Sequence, residues 1–192
     1  SDRGVSEWMP TSASLDKESM QDGAAQMRPK SRLAFYDIVE DKTIRKLENE
    51  MDKLFNNRDG EVVRVMVVSS VAGGTGSGMF IQTALWLRKY FNSKNCNISL
   101  RGTFLLPDIF IDTIEDIRND EEEVRSLYAN AYGAIREFNA ISKIKTKAFS
   151  PDMTVKIDKL FNSDTDINDG YRLYDYAFFI DKIFIMENCA RD

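Results

Sequence analysis

Val62–Gly78 reads VVRVMVVSSVAGGTGSG, and this stretch decides the fold. Its first seven residues, Val62 to Val68, are β-branched or apolar except for Arg64. Such a run, apolar on both faces, suits a central strand of a parallel sheet covered on each side. Ser69 to Gly78 turns the chain. Met79 to about Phe91 (MFIQTALWLRKYF) is apolar nearly all round, the pattern of a helix buried against a sheet. Asn92–Asn97 turns the chain again, and Ile98–Leu106 reads as a second strand that stops at Pro107. Strand, glycine-rich turn, helix and strand form one βαβ unit, whose crossover is expected to be right-handed.

The hexad Gly73-Gly74-Thr75-Gly76-Ser77-Gly78 is the most informative part of that unit. Four glycines in six positions, between a buried strand and a helix, leave the main chain bare of Cβ atoms. An anion such as a phosphate can then approach the N–H groups directly, and Thr75 and Ser77 add hydroxyl donors. The positive end of the helix dipole favours the same anion. Competing motifs fail on spacing. A P-loop needs Lys after its last glycine, where this chain has Met79. The dinucleotide pattern GxGxxG is not met from Gly74, whose sixth position is Met79, nor from Gly76, whose sixth is Ile81. The plainer alternative is a turn whose glycines let strand and helix pack closely.

On the N-terminal side, residues 1–30 show no helical or strand period and read as an irregular segment; residues 31–192 read as the domain. Leu33, Phe35, Tyr36, Ile38 and Val39 begin a long helical stretch. Ile44, Leu47, Met51, Leu54 and Phe55 continue it, and Asn56–Gly60 (NNRDG) ends it. On the C-terminal side, Asp108–Asp120 is an acidic connection. Glu121–Ile141 is an amphipathic helix with Val124, Leu127, Tyr128, Ala131, Ile135 and Phe138 on its apolar stripe. Trp86 and Tyr132 read as core. Tyr174–Met186 (YDYAFFIDKIFIM) reads as another strand. An α/β protein normally continues from a strand into a helix, so the chain reads as an excerpt of something larger, an incomplete α/β domain.

Composition bounds the function. With 192 residues the chain can bury roughly 70% of its unfolded surface. It is 43% apolar and 30% charged, which is ordinary for a globular domain. A net charge of −5 removes the electrostatic basis for tight binding to nucleic acid or to an anionic membrane. The chain contains no histidine, which excludes His-based triads, His general bases and His-ligated metals within it. Cys96 and Cys189 are too few for a disulfide framework and lack CxxC spacing, so they read as two reduced thiols. No apolar run approaches the ~20 residues of a membrane span, and a cytoplasmic protein is expected.

Two acidic constellations invite other readings. Asp164, Asp166, Asn168, Asp169, Gly170 and Asp175 are similar to a calcium loop, but the glycine is one place late and a solvated turn accounts for them. Glu115, Asp116 and Asp120–Glu123 read as charges complementing a helix N-terminus.

At the hexad the chain resembles the tubulin/FtsZ superfamily of GTPases, whose phosphate loop follows GGGTG[ST]G, with Ala72 here in the first place. Flanking segments extend the likeness to the bacterial tubulin-like proteins. These are Asp22–Arg32 (DGAAQMRPKSR) with Leu33–Tyr36, Gly102–Pro107 (GTFLLP), Asn130–Phe138 (NAYGAIREF) and Tyr174–Asp181 (YDYAFFID). The resemblance implies a parallel sheet flanked by helices that binds GTP or GDP together with Mg2+. It implies that Gly73, Gly74, Thr75, Gly76, Ser77 and Gly78 grip the phosphates. The turn Gly23-Ala24-Ala25-Gln26 would stand where the family senses the γ-phosphate, although the family prefers more glycine there. Asn188 is the candidate for reading guanine, and Asn130 lies in the helix after the ribose-contacting segment.

The same resemblance implies self-association into a head-to-tail oligomer or filament with nucleotide between subunits, and hydrolysis completed by an acidic loop of the next subunit. No upstream strand with its own glycine loop is present, and the chain stops before that acidic loop. The isolated chain is therefore expected to be weak or inactive in hydrolysis. An alternative from another class is a degenerate tubulin-like module that acts in protein–protein assembly alone, which the alanines of the 23–26 turn favour.

Overall fold

The computed structural model describes residues 27–40, 42–55, 62–142 and 172–182. Along the chain these form α1 (Arg28–Glu40), α2 (Arg45–Phe55), β1 (Val62–Ser70), α3 (Gly74–Ser93) and β2 (Asn97–Leu105). They are followed by α4 (Pro107–Thr113), α5 (Glu115–Asn119), α6 (Glu121–Ser142) and β3 (Tyr176–Ile180). Pro29 stands at the second position of α1, where its missing N–H has no helical partner to lose. The expected uninterrupted helix from Leu33 to Phe55 is two helices instead. Lys42 adopts φ 66°, and the Ile44 N–H reaches back to the Ile38 carbonyl at 3.2 Å, which closes α1 before α2 begins.

The three strands are parallel in the order β1-β2-β3, with Val62 opposite Asn97, Ser70 opposite Leu105, and Leu105 opposite Ile180. Right-handed crossovers that step the same way along a sheet bring their helices to the same face. Accordingly α3 and α6 cover one face. Val63, Val65 and Val67 of β1, Leu100 and Phe104 of β2, and Ala177 and Phe179 of β3 all point into one core with both helices. This confirms a parallel α/β sheet with flanking helices.

The expectation that β1 is covered on both sides is not met among the described residues. Met66 and Val68 are 61% and 63% exposed, and in register across the sheet Tyr176 and Phe178 are 57% and 52% exposed. The alternation belongs to the winding, not to the residue types, which are apolar on either face.

Aromatic rings fill the core beneath the strand ends. Phe104 packs edge-on against Phe80 at 5.1 Å and Tyr174 at 5.2 Å, and its own ring folds over Gly102, where a Cβ would lie 2.4 Å from it. The buried Tyr174 hydroxyl donates to the Phe80 carbonyl at 2.6 Å, and burial pushes its phenol pKa upward. Asp175 then ties β3 to the rest. Its carboxylate accepts from the Leu100 N–H at 2.7 Å and from Arg88 at 3.1 Å, while Arg88 also donates to the Leu173 carbonyl.

Several finer expectations need adjusting. The acidic connection Asp108–Asp120 is largely folded into the two short helices α4 and α5. Asp120 caps α6, its carboxylate accepting from the N–H groups of Glu122 and Glu123 at 2.9 and 3.0 Å, with three glutamates in the first turn. Trp86 is core as expected, whereas Tyr132 is 66% exposed. On α6 the buried line is Leu127, Ala131 and Ala134 at helical spacing, which turns Tyr128 and Ile135 to the shoulder of the stripe. Of the suggested calcium loop only Asp175 is a described residue, and its carboxylate is held by Arg88 and Leu100.

Candidate functional site

Parallel strands end together, so whatever follows them gathers along one edge of the sheet. Here the edge receives the start of α3 after β1, the start of α4 after β2, and Asp181–Lys182 after β3. The exit from β1 is tightly held. The Val71 N–H continues the ladder to the Leu105 carbonyl at 3.1 Å, and the Ala72 N–H donates back to the Ser70 hydroxyl at 3.0 Å. Gly73 then caps α3 with φ −83° and ψ 165°, an extended conformation any residue adopts.

The helix thus begins at Gly74, five residues before the expected Met79, and five of the six residues of the hexad form its opening turns. Low helix propensity in that run misplaced the boundary; packing overrides it. The Ser77 N–H bonds to the Gly73 carbonyl at 3.3 Å, as the first bond of the helix. Among the described residues no acceptor meets the N–H groups of Gly73, Gly74, Thr75 and Gly76, and no side chain caps them. Four adjacent amides at the positive end of a 20-residue helix are an arrangement for an anion.

The glycines of the hexad divide by role. Among the described residues a Cβ on Gly73 would meet nothing within 4 Å, so the space above it is open. A Cβ on Gly76 would lie 2.0 Å from the Ser70 carbonyl oxygen and 2.4 Å from the Ser69 hydroxyl. On Gly78 it would lie 2.0 Å from the Ser31 hydroxyl and 2.4 Å from the Arg28 carbonyl oxygen. Gly76 therefore lets α3 approach β1, and Gly78 lets it approach α1. The close-packing alternative thus describes Gly76 and Gly78 but not Gly73.

The two hydroxyls also part company. Thr75 is exposed on the first turn, whereas Ser77 is 1% exposed and its hydroxyl donates to the Gly73 carbonyl. Ser77 thus faces into the protein, and the expectation of a second ligand-facing hydroxyl does not hold there. Asn130, on α6, is 8% exposed. Ala24, Ala25, Gln26 and Asn188 lie outside the described residues, as does Gly23.

Polar residues around the start of α3 were not singled out from sequence. Ser31 of α1 is fully buried with its hydroxyl 2.8 Å from the Gly74 carbonyl oxygen, and Arg28 donates to the Ser77 carbonyl at 3.3 Å. Their signal was only a Ser and an Arg on a helix whose neighbour was unknown. Farther along the edge, Tyr128 donates to Asp108 and Lys182 pairs with Asp112. The hydrogen bond to Asp108, then burial, then the charges of Asp108, Asp181 and Asp112, push the Tyr128 phenol up to about 12. Among the described residues no group of three or more Cys, Asp or Glu could hold a metal ion, and no helix is long and apolar enough to cross a membrane.

The sequence matches the tubulin-like family over residues 1–179, and the chain belongs to that family. Neither the curated proteins nor the solved structures yield a match. The matched span includes the hexad and every described element except the last residue of β3 and its exit.

Proposed function

Proceeding from that membership, we propose that this protein binds a guanine nucleotide, GTP or GDP, with its phosphates on the amides that open α3. The single observation that carries the reading is that, among the described residues, no acceptor meets the N–H groups of Gly73–Gly76 at the end of a parallel strand, with open space beside Gly73. The donor set fits a phosphate and no cationic reaction partner. It offers main-chain N–H groups, the exposed Thr75 hydroxyl and a helix dipole. Mg2+ would enter with the nucleotide, held by phosphate oxygens and water, as is usual for this ion.

Nucleotide binding of this kind is coupled to head-to-tail association, and hydrolysis belongs to the assembled protein. A titration with fluorescent guanine and adenine nucleotides tests the base. Guanine is expected to bind more tightly, and equal affinities would count against the reading. Gly73→Asp tests the place. Its side chain has room, so the protein folds, but a carboxylate over the open amides is expected to weaken nucleotide binding by at least about tenfold. Unchanged affinity would remove this turn from the site and leave the assembly module as the better reading.

A further inference from the structure

Three glycines, a threonine and a serine make a poor start for a helix, because glycine loses more backbone freedom there than any other residue except proline. Something outside α3 must hold Gly74–Gly78 in helical form. That support comes from one side. The Gly74 carbonyl lies 2.8 Å from the Ser31 hydroxyl, whose single proton it shares with the Arg28 carbonyl. The Ser77 carbonyl accepts from both Nε and Nη2 of Arg28 at 3.3 Å. With its amide oriented to satisfy both ends, Gln82 donates to the Gly78 carbonyl at 2.8 Å and accepts from Arg32 Nε at 2.7 Å. Each of these carbonyls is reached, directly or through Gln82, by a side chain of α1.

α1 is in turn fixed to α6. Arg28 and Arg32 both donate to the same oxygen of Glu137, at 2.6 and 3.0 Å. The guanidinium of Arg28 passes over Gly133, where a Cβ would lie 2.4 Å from Nη1. Gly78 on α3 and Gly133 on α6 thus make room for the same arginine residue, the first for its main chain and the second for its side chain. One peptide plane links this support to the open amides. The Gly74 carbonyl that faces Ser31 belongs to the same peptide group as the Thr75 N–H, so its position sets the direction of that donor and its hydrogen bond polarises it.

We propose that Arg28 and Glu137 are positioning residues of the nucleotide site, clamping α1 between α3 and α6 so that the glycine-rich opening of α3 is held as a pre-formed anion cradle. The inference rests on the proposed reading of that cradle as the phosphate site. Neither side chain touches the open amides; both act through main-chain carbonyls one or two turns into the helix.

Gly133→Ala is the sharpest test. It displaces the far end of the Arg28 side chain without altering any charge, and alanine is a better helix former than glycine on α6. Melting should be no lower than in the parent chain, while guanine-nucleotide affinity falls about tenfold and hydrogen exchange at Ser77 and Gly78 accelerates. A merely structural arginine would move stability and affinity together. Glu137→Gln, at a half-buried carboxylate, is the second variant and is expected to show the same divergence. Affinity and exchange equal to the parent in both variants would overturn the clamp, as would affinity losses matched by equal losses of stability in both. A parent chain that binds no guanine nucleotide would overturn the site itself, a result distinguishable from either of those.

Discussion

Alanine at Gly76 and alanine at Gly73 should have opposite consequences, although the two glycines stand three residues apart in one motif. A methyl on Gly76 would lie 2.0 Å from the Ser70 carbonyl oxygen, where ordinary contact begins at 3.4 Å, so α3 and β1 must part by about 1.4 Å. Overpacking of that kind typically costs about 1–3 kcal/mol. The shift also stretches the Ser31 contact to the Gly74 carbonyl, worth about 1 kcal/mol. Helix propensity returns about 1 kcal/mol for the glycine removed. The net loss is about 1–3 kcal/mol, or a fall in Tm of roughly 2–12 °C for a chain of this size. At Gly73 the backbone is extended, nothing lies within 4 Å, and alanine should leave stability unchanged or raise it by about 0.4–1 kcal/mol. Urea and thermal melts of the two variants, side by side, measure both. A Gly76→Ala protein as stable as the parent, or equal losses in both variants, would refute the division of the motif into a packing glycine and an open one.

Asp175→Ala removes the acceptor for the Leu100 N–H and the partner of Arg88, whose side chains are largely shielded, and should cost about 2 kcal/mol in urea. A double-mutant cycle with Arg88→Ala should show coupling of about 0.5–3 kcal/mol, and strict additivity would mean that the pair does not join β3 to α3. Alkaline titration tests the strand-end carboxylates. The folded Tyr128 phenol is raised to about 12, above its ordinary 10.0, so it favours the folded state below pH 10 and loses that contribution as pH climbs toward 12. Phenolate absorbance should therefore show a late-titrating tyrosine that Tyr128→Phe removes and Asp108→Asn shifts downward; no change in either variant would refute it.

The parallel βαβ unit was legible because its signals are local. Val62–Val68 is long and β-branched, the helix from Phe80 to Phe91 is apolar, and the strand before Pro107 carries its own stop. The helix start was misread because propensity at Gly74–Gly78 points away from helix, whereas the carbonyls there are satisfied by Ser31 and Arg28, some forty residues earlier in the chain. A break at Lys42 was equally hidden, since a left-handed lysine leaves no mark in composition. Tyr132 read as core because aromatic residues usually are; only the helix phase set by Leu127, Ala131 and Ala134 turns it outward. The candidate amides were legible as a motif, but the motif alone did not separate Gly73, open to space, from Gly76 and Gly78, closed by neighbours.

That separation bears on how such a turn serves an anion. Main-chain amides bind well only when they are already aimed, because ordering them on arrival of a ligand would take back much of the interaction energy. Glycine permits close approach of an anion, yet it is also the residue least able to hold a conformation unaided. On the proposed reading of the turn, the chain meets both demands within six residues. At Gly73 the absent side chain leaves open space among the described residues; at Gly76 and Gly78 it lets the Ser70 carbonyl and α1 press against the helix. Ser77 contributes from within, its hydroxyl on the Gly73 carbonyl, which shares a peptide group with the open Gly74 N–H. Substitutions at the closed glycines should therefore act on folding first and on binding through it, whereas those at Gly73 should act on binding without a loss of stability.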